Sequence, residues 1–325
     1  MVRLLRHGPL VRGICALLVV VIVSACGVAT GTTPRAVEKH LIKVGIIPNV
    51  GAAPAFIASR SRFFADEGID VQFVTIQSSE TALPALENGD LDIVFGNYVS
   101  FFAEQVKGVN PIKLVADGYF AKPKTYMVVV AKGAKVRNIA ELSGKRVAVT
   151  SSNGLAGLIV RSVLDTAGST LAPPSFVEMA YPDMGTALRN HTVDGALLAE
   201  PYLTDVSMKT GAWPCIDAAS GPTADIPVSG YATTDKIAAR YPNTIAAFQR
   251  ALSRGASVAG SDRAQVESVV HEFAQVDEQT AALMTLVGYP TRMDARRVQR
   301  IPDLMLKFGV LNQPVDAAAM VLPAP

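Results

Sequence analysis

One block of sequence occurs twice, and that repeat limits the fold more than any other feature of the chain. A-L-E-N-G-D-L-D-I-V-F-G-N, Ala85 to Asn97, has the order of a helix end, a tight turn at Asn88–Gly89 and an apolar strand. A-L-R-N-H-T-V-D-G-A-L-L-A-E-P, Ala187 to Pro201, repeats Ala, Leu, Asn and Asp at the same spacings. Upstream of each copy a strand stops at a small polar loop: L-I-K-V-G-I-I-P-N (Leu41 to Asn49) and K-R-V-A-V-T-S-S-N (Lys145 to Asn153). Asn49 and Asn97 are 48 residues apart, and Asn153 and Glu200 are 47 apart. Two strand–loop–helix units of near-equal internal spacing predict an α/β chain with two similar lobes. Polar residues at the strand ends then face one crevice, where open α/β sheets bind ligands.

The rest of the pattern agrees with alternating elements. Strands are expected at 69–76, 91–95, 112–117, 126–132 and 175–180, with helices at 53–64, 81–87, 98–107 and 155–167 between them. Such alternation with short connections predicts a largely parallel sheet. Gly68 follows the helix that ends at Ala65–Glu67, a common C-terminal stop, and Asp183 is placed as the N-cap of a helix at 184–190. Ile226 to Thr234 is expected to return, extended, to the first lobe. Beyond it the chain is mostly helical, at 243–255, 264–273, 277–287, 294–308 and 314–320. These amphipathic runs are expected to be packing elements.

The first 25 residues carry Arg3, Arg6 and Arg12, no acid, and an apolar run from Ile14 to Val23. That run is shorter than the roughly 20 residues a membrane-spanning helix needs. A basic start, a short apolar core and a small-residue exit form a secretory signal. The exit, V-S-A-C, resembles the lipobox of bacterial lipoproteins, with Cys26 as the lipidated residue and new N-terminus. Residues 26–40 then form a polar tether. Without those three arginines the chain has 27 basic side chains against 28 acidic ones, from 30 and 28 in full. A nucleic-acid surface needs clustered Lys and Arg, so none is expected. Beyond Cys26 only Cys215 remains, which cannot staple the fold and suits a small buried position.

Five segments in order carry a family resemblance: G-I-I-P-N-x-G-x-A-P-A-F-I-A, A-D-E-G-I-D-V, A-L-E-N-G-D-L-D-I-V-F-G-N, L-S-G-K-R-V-A-V and L-L-A-E-P-Y. Together they resemble the substrate-binding proteins of bacterial ABC importers, in the group handling sulfonates, taurine, nitrate and thiamine pyrimidine precursors. The resemblance spans residues 41–308. It implies a two-lobe periplasmic-binding-protein fold with two crossover strands and a ligand cleft between the lobes. Lobe 1 would hold residues 41–123 and 228–325, and lobe 2 residues 126–224. It further implies a monomer that binds a small molecule, closes on it and hands it to an ABC permease coupled to an ATPase subunit. The protein would sit on the extracytoplasmic face of the membrane, held by the lipid on Cys26, with no cofactor.

The cleft residues are expected at the strand ends. Lobe 1 offers Asn49 and Gly51, then Gln77, Ser78 and Ser79, then Gly96, Asn97 and Tyr98. Lobe 2 offers Ser151, Ser152, Asn153, Gly154 and Leu155, and Glu200. Helix N-termini present unpaired N–H groups and a partial positive charge, and so can hold an anionic head group without arginine. Each residue also has a plainer role: Ser78, Ser79 and Asp183 as helix caps, Asn49 and Asn153 as turn residues, and Tyr98 as core. Glu200 is the sharpest of these. A carboxylate in a cleft repels an anion and more naturally receives an amine or an N–H donor, which favours a neutral or amine-bearing solute such as a pyrimidine precursor. Its plainer role is to order its loop.

Enzymes of similar architecture, the eukaryotic pyrimidine-precursor synthases, rely on an iron-associated histidine and a Cys-rich motif, and that motif is absent here. The four histidines, His7, His40, His191 and His271, show no metal-ligand spacing. Neither a G-x-S-x-G elbow nor a Walker loop occurs. A lipid-anchored sensor with the same cleft but no transport is the third reading of the sequence.

Overall fold

A computed structural model describes residues 36–109, 111–168, 174–274 and 276–325. Cys26 and the signal segment lie outside the described residues. The strands are β1 (Leu41–Ile46), β2 (Asp70–Thr75), β3 (Ile93–Asn97), β4 (Ile112–Phe120), β5 (Tyr126–Val130), β6 (Arg146–Val149), β7 (Ser175–Glu178), β8 (Gly195–Ala199), β9 (Trp213–Asp217) and β10 (Pro227–Thr234). Early helices are α1 (Ala53–Arg60), α2 (Phe63–Asp66), α3 (Ser79–Glu87) and α4 (Tyr98–Lys107). The middle of the chain adds α5 (Leu155–Thr166), α6 (Tyr181–Arg189) and α7 (Tyr202–Thr210). The C-terminal part holds α8 (Asp235–Arg240), α9 (Pro242–Ser261), α10 (Arg263–Ala274), α11 (Glu278–Leu283) and α12 (Ala295–Lys307).

These strands form two sheets of the same plan. One has the order β2-β1-β3-β10-β4, the other β7-β6-β8-β5-β9. In each, three strands run parallel, and a fourth pairs antiparallel beside them. Both sheets are therefore mixed, where the alternating pattern predicts a mostly parallel one. The reason is the crossover: β10 enters the first sheet from the far end of the chain, antiparallel to β3 and β4. β5 enters the second after β4, antiparallel to β8 and β9. The segments 121–125 and 218–226 connect the two sheets. Residues 37–325 form one compact unit.

Burial follows from composition. Every residue of β5 (YMVVV), β8 (GALLA) and β10 (PVSGYATT) is buried, as expected of strands covered on both faces. Phe95, Tyr231 and Phe248 pack ring against ring in the first sheet's core. Each such side chain contributes about 1.5–3 kcal/mol by burial. On one face of the second sheet, α6 and α7 bring Met184, Leu188, Leu203 and Val206 against Leu198.

The repeat is present in atomic detail. Asp92 accepts from the Lys43 N–H at 2.9 Å, and Asp194 accepts from the Arg146 N–H at 2.9 Å. Each thus ties the strand after its turn to the preceding parallel strand of its own sheet. Both turns need a left-handed residue. Gly89 supplies it at φ 84° and His191 at φ 54°, a conformation that glycine adopts without penalty and other residues do not.

Some expected elements differ. α6 starts at Tyr181, with Ala180 as N-cap and Pro182 in its first turn, so Asp183 lies inside the helix instead of capping it. Residues 314–320 form turns and no helix. β9 has no counterpart among the expected strands; Pro214 within it marks a sheet edge.

Candidate functional site

The strand ends of both sheets converge on a cleft of about 530 Å³, within the range of small-molecule sites. On the first sheet's side, Asn49 follows β1 and caps the turn Val50–Ala52, its Oδ1 accepting from Gly51 N–H at 2.9 Å. Gly51 is buried beneath the cleft wall. A Cβ there would fall 2.1 Å from the Tyr119 ring, so the glycine is what lets that ring lie against the turn. Ser78 caps α3, accepting from Thr81 N–H at 3.2 Å.

Asn97 caps α4, accepting from Ser100 N–H at 2.9 Å. Its Nδ2 donates to Ser79 Oγ at 3.0 Å and to Glu80 Oε1 at 3.3 Å. Ser79 Oγ donates to Ser100 Oγ at 3.0 Å, and Ser100 Oγ donates to the Glu80 carboxylate. The polar groups of this side thus satisfy one another around Glu80. Burial opposes ionisation of Glu80, but donors from Ser100, its own backbone N–H, Asn97 and Ser78 outweigh it and hold the carboxyl below its usual range.

The second sheet's side is built from the same parts and left open. Thr150 and Ser151 follow β6, and Ser151 Oγ accepts from Gly154 N–H at 3.1 Å. Gly154 is the N-cap of α5 and brings no side-chain acceptor. The first turn of α5, Leu155 and Ala156, lines the cleft. Ser152 turns elsewhere: its N–H and Oγ both donate to Glu178, at 2.7 and 2.5 Å. Asn153 is exposed and, like Ser152, does not line the cleft.

Glu200 lines the cleft, but its carboxylate is engaged. It accepts from Thr204 N–H at 3.1 Å, Thr204 Oγ1 at 3.0 Å and Thr285 N–H at 2.9 Å. The last bond joins the end of β8 to the loop after α11. Desolvation pushes its carboxyl above the usual value, against the pull of those donors and of Arg263 further off. The peptide Glu200–Pro201 is cis.

Of the expected site residues, the structure brings Asn49, Gln77, Ser78, Ser79, Asn97, Ser151, Gly154, Leu155 and Glu200 to the cleft. Tyr98 is not among them. It is fully buried, with its hydroxyl donating to Asp117 Oδ1 at 2.7 Å, and Arg297 donates to the other oxygen at 2.6 Å. The Tyr98 ring turns back into the core, where this buried carboxylate needs donors.

Four other tyrosines occupy the place given to Tyr98. Tyr119 and Tyr126, either side of the first crossover, place their hydroxyls 3.1 Å apart. Tyr181 and Tyr202 stack at 5.1 Å between ring centroids. Burial raises all four phenols above their ordinary pKa, so they stay neutral and serve as hydrogen-bonding groups with aromatic faces. They come from separate segments: Tyr181 and Tyr202 are each the first residue of a helix, as Tyr98 is, while Tyr119 and Tyr126 lie in strands. None of the residues lining the cleft is a lysine, arginine or histidine. Among the described residues no group of three His, Cys, Asp or Glu side chains is arranged to hold a metal ion.

Comparison with known proteins matches residues 49–265, more than half of the chain, to the family described as NMT1/THI5 like. The chain belongs to the NMT1/THI5-like family. A Bacillus subtilis (strain 168) protein named for binding aliphatic sulfonates is 24% identical over 251 residues, which cover 75% of this chain and 72% of that protein. Among solved structures, the alkanesulfonate-binding protein SsuA of Xanthomonas axonopodis pv. citri, bound to MOPS, superposes with a TM-score of 0.72. It is 17% identical, over 89% of this chain and all of that one. The periplasmic nitrate-binding protein NrtA of Synechocystis PCC 6803 gives 0.73 at 15% identity, over 87% of this chain and 85% of that one. The fold is thus the two-lobed α/β architecture of periplasmic binding proteins. Among the described residues no helix is long and apolar enough to cross a membrane.

Proposed function

We propose that this chain is the solute-binding component of an ABC importer. A small organic solute enters the cleft, the lobes close on it, and the closed form delivers it to a permease and, through it, to an ATPase subunit. Lobe 1 is taken as residues 41–123 and 228–325, lobe 2 as 126–224, and the crossovers near 124–126 and 227–230 as the hinge. The protein works as a monomer on the extracytoplasmic face of the membrane, held by a lipid on Cys26. The observation that carries this reading is the cleft itself: strand ends and helix starts from two sheets of one plan meet around a space of about 530 Å³. The cleft lining has no histidine or cysteine, which favours binding over catalysis. The family and the named relatives support the same reading.

Small-angle scattering of the full chain in mild detergent, across alkanesulfonates, taurine, nitrate, pyrimidine precursors and riboflavin, tests it. A solute that raises the melting temperature by mass action should also compact the protein. No compaction with any saturating solute would sink the reading. Cys26→Ala should release the protein from membranes; retention would remove the lipid anchor from it.

A further inference from the structure

Charge in the cleft is one-sided. Two carboxylates, Glu80 and Glu200, line it, and no side-chain cation does. Glu80 has no ion-pair partner among the described residues. Its carboxylate lies at the N-terminal end of α4, held by Ser100 Oγ and Asn97 Nδ2, which is where an anionic solute would otherwise seek the helix end. The protein has filled lobe 1's anion position with its own anion, and that charge still faces the cleft. Aromatic rings line the same cleft: the stacked pair Tyr181–Tyr202 from lobe 2, and Tyr119 and Tyr126 either side of the first crossover. Aromatic faces attract cations and accept flat rings.

We infer that the cleft takes a ring-bearing organic cation and turns away free anions, with Glu80 as the charge that decides between them. This deepens the proposed solute-binding role and rests on it. The ring lies against the tyrosines of lobe 2, and the positive group points towards Glu80 across the gap. Glu200, fully engaged by Thr204 and Thr285, adds negative potential without touching the solute.

Three probes of one shape test this: benzylammonium, benzyl alcohol and benzenesulfonate, titrated calorimetrically at neutral pH and low salt into the full chain in mild detergent. Benzylammonium should bind at least about tenfold tighter than benzenesulfonate. Glu80→Gln should bring that ratio close to one. Tyr202→Leu, an independent variant should the α4 cap not tolerate glutamine, should weaken benzylammonium about fivefold through the lost aromatic face. Benzenesulfonate binding as tightly as benzylammonium overturns the charge preference and leaves the solute-binding role standing. A ratio unchanged in Glu80→Gln removes Glu80 as the deciding group. Binding of none of the three rings overturns the inference, and the scattering experiment then judges the solute-binding role separately.

Discussion

The two jaws of the cleft are built to one plan and finished differently. In lobe 1, Ser78, Ser79, Asn97 and Ser100 spend their hydrogen bonds on one another and on Glu80. In lobe 2 the equivalent strand ends at a loop whose helix, α5, starts on a glycine without a side-chain cap. A helix start holds an anion only while its N–H groups remain unclaimed. Lobe 1 therefore presents polar groups bonded to one another around a carboxylate, and lobe 2 a helix start that brings no side-chain cap of its own, beside the stacked rings of Tyr181 and Tyr202. Shared topology does not impose shared chemistry, because the side chains at the strand ends and helix starts decide which of these a jaw becomes.

Glycines at the two jaws offer the largest expected effect. A Cβ at Gly157 of α5 would lie 1.9 Å from the backbone oxygen of Ser152, whereas one at Gly96 would lie 2.4 Å from the Cβ of Ser79. Backbone cannot step aside, and a side chain can be removed. Gly157→Ala should cost about 3 kcal/mol through overpacking, read from denaturant midpoints. Gly96→Ala should cost a similar amount, but Ser79→Gly in the same chain should recover part of it. Equal recovery from Ser152→Gly in the Gly157 variant would show that the jaws do not differ in this way.

Next in size is Glu200→Ala, which strands the half-buried N–H of Thr285 and the Thr204 pair. It should lower stability by about 2–3 kcal/mol, the scale of losing hydrogen bonds to a charged group, and a melt within error of the parent would contradict that. The repeated aspartates sharpen the comparison further. Asp92 is buried and also meets Lys39 at 2.6 Å, whereas the Asp194 side chain is 35% exposed and meets Arg146. Asp92→Ala should cost about 2 kcal/mol and Asp194→Ala about 1 kcal/mol. The reverse order in urea unfolding would show that burial does not separate the two clamps.

The acids of the two jaws should also answer pH in opposite senses. Glu80 is held below its ordinary 4.5, so its contribution is present above pH 4.5 and is lost as pH falls through its folded value. Glu200 is raised above 4.5, so folding penalises its ionised form. That penalty is absent below pH 4.5 and sets in as pH rises through the folded value. Between pH 7 and pH 3, wild-type stability should fall relative to Glu80→Gln and rise relative to Glu200→Gln. Parallel curves for the two pairs would refute the contrast. The smallest effect lies in the turns. His191→Gly should gain about 0.5 kcal/mol by relieving the left-handed backbone, making the turn resemble that at Gly89; a loss on calorimetry would mean the histidine is held there by something else.

Much of the fold was legible, because a repeat is a statement about geometry. Asn88–Gly89 and Asn190–His191 hold matching places in the repeat, as do Asp92 and Asp194, while the bond each aspartate makes to the neighbouring strand shows only in the fold. Antiparallel entry of β5 and β10 was not legible, since direction within a sheet is set by where a crossover lands and not by the strand's own residues. β9 escaped because Pro214 and Cys215 interrupt its apolar run. At the cleft, the caps Asn49, Ser78 and Asn97 could be placed from their position between strand and helix. The four tyrosines could not: each lies in a different segment, and only the folded chain makes them neighbours. Tyr98, Tyr181 and Tyr202 each follow the N-cap of a helix, and of the three Tyr98 leaves the cleft because Asp117, nineteen positions on, claims its hydroxyl.

The bond from Thr285 to Glu200 ties a strand end of the second sheet to a loop belonging to the first. A swing that separates the two must uncover a buried carboxylate and orphan an amide before any new contact repays it. Motion across such a bond is an escape over a barrier and not a gradual drift. Its influence would then fall on how long a solute remains enclosed, a dwell time set by the kinetics of opening, more than on how tightly the solute is held at equilibrium.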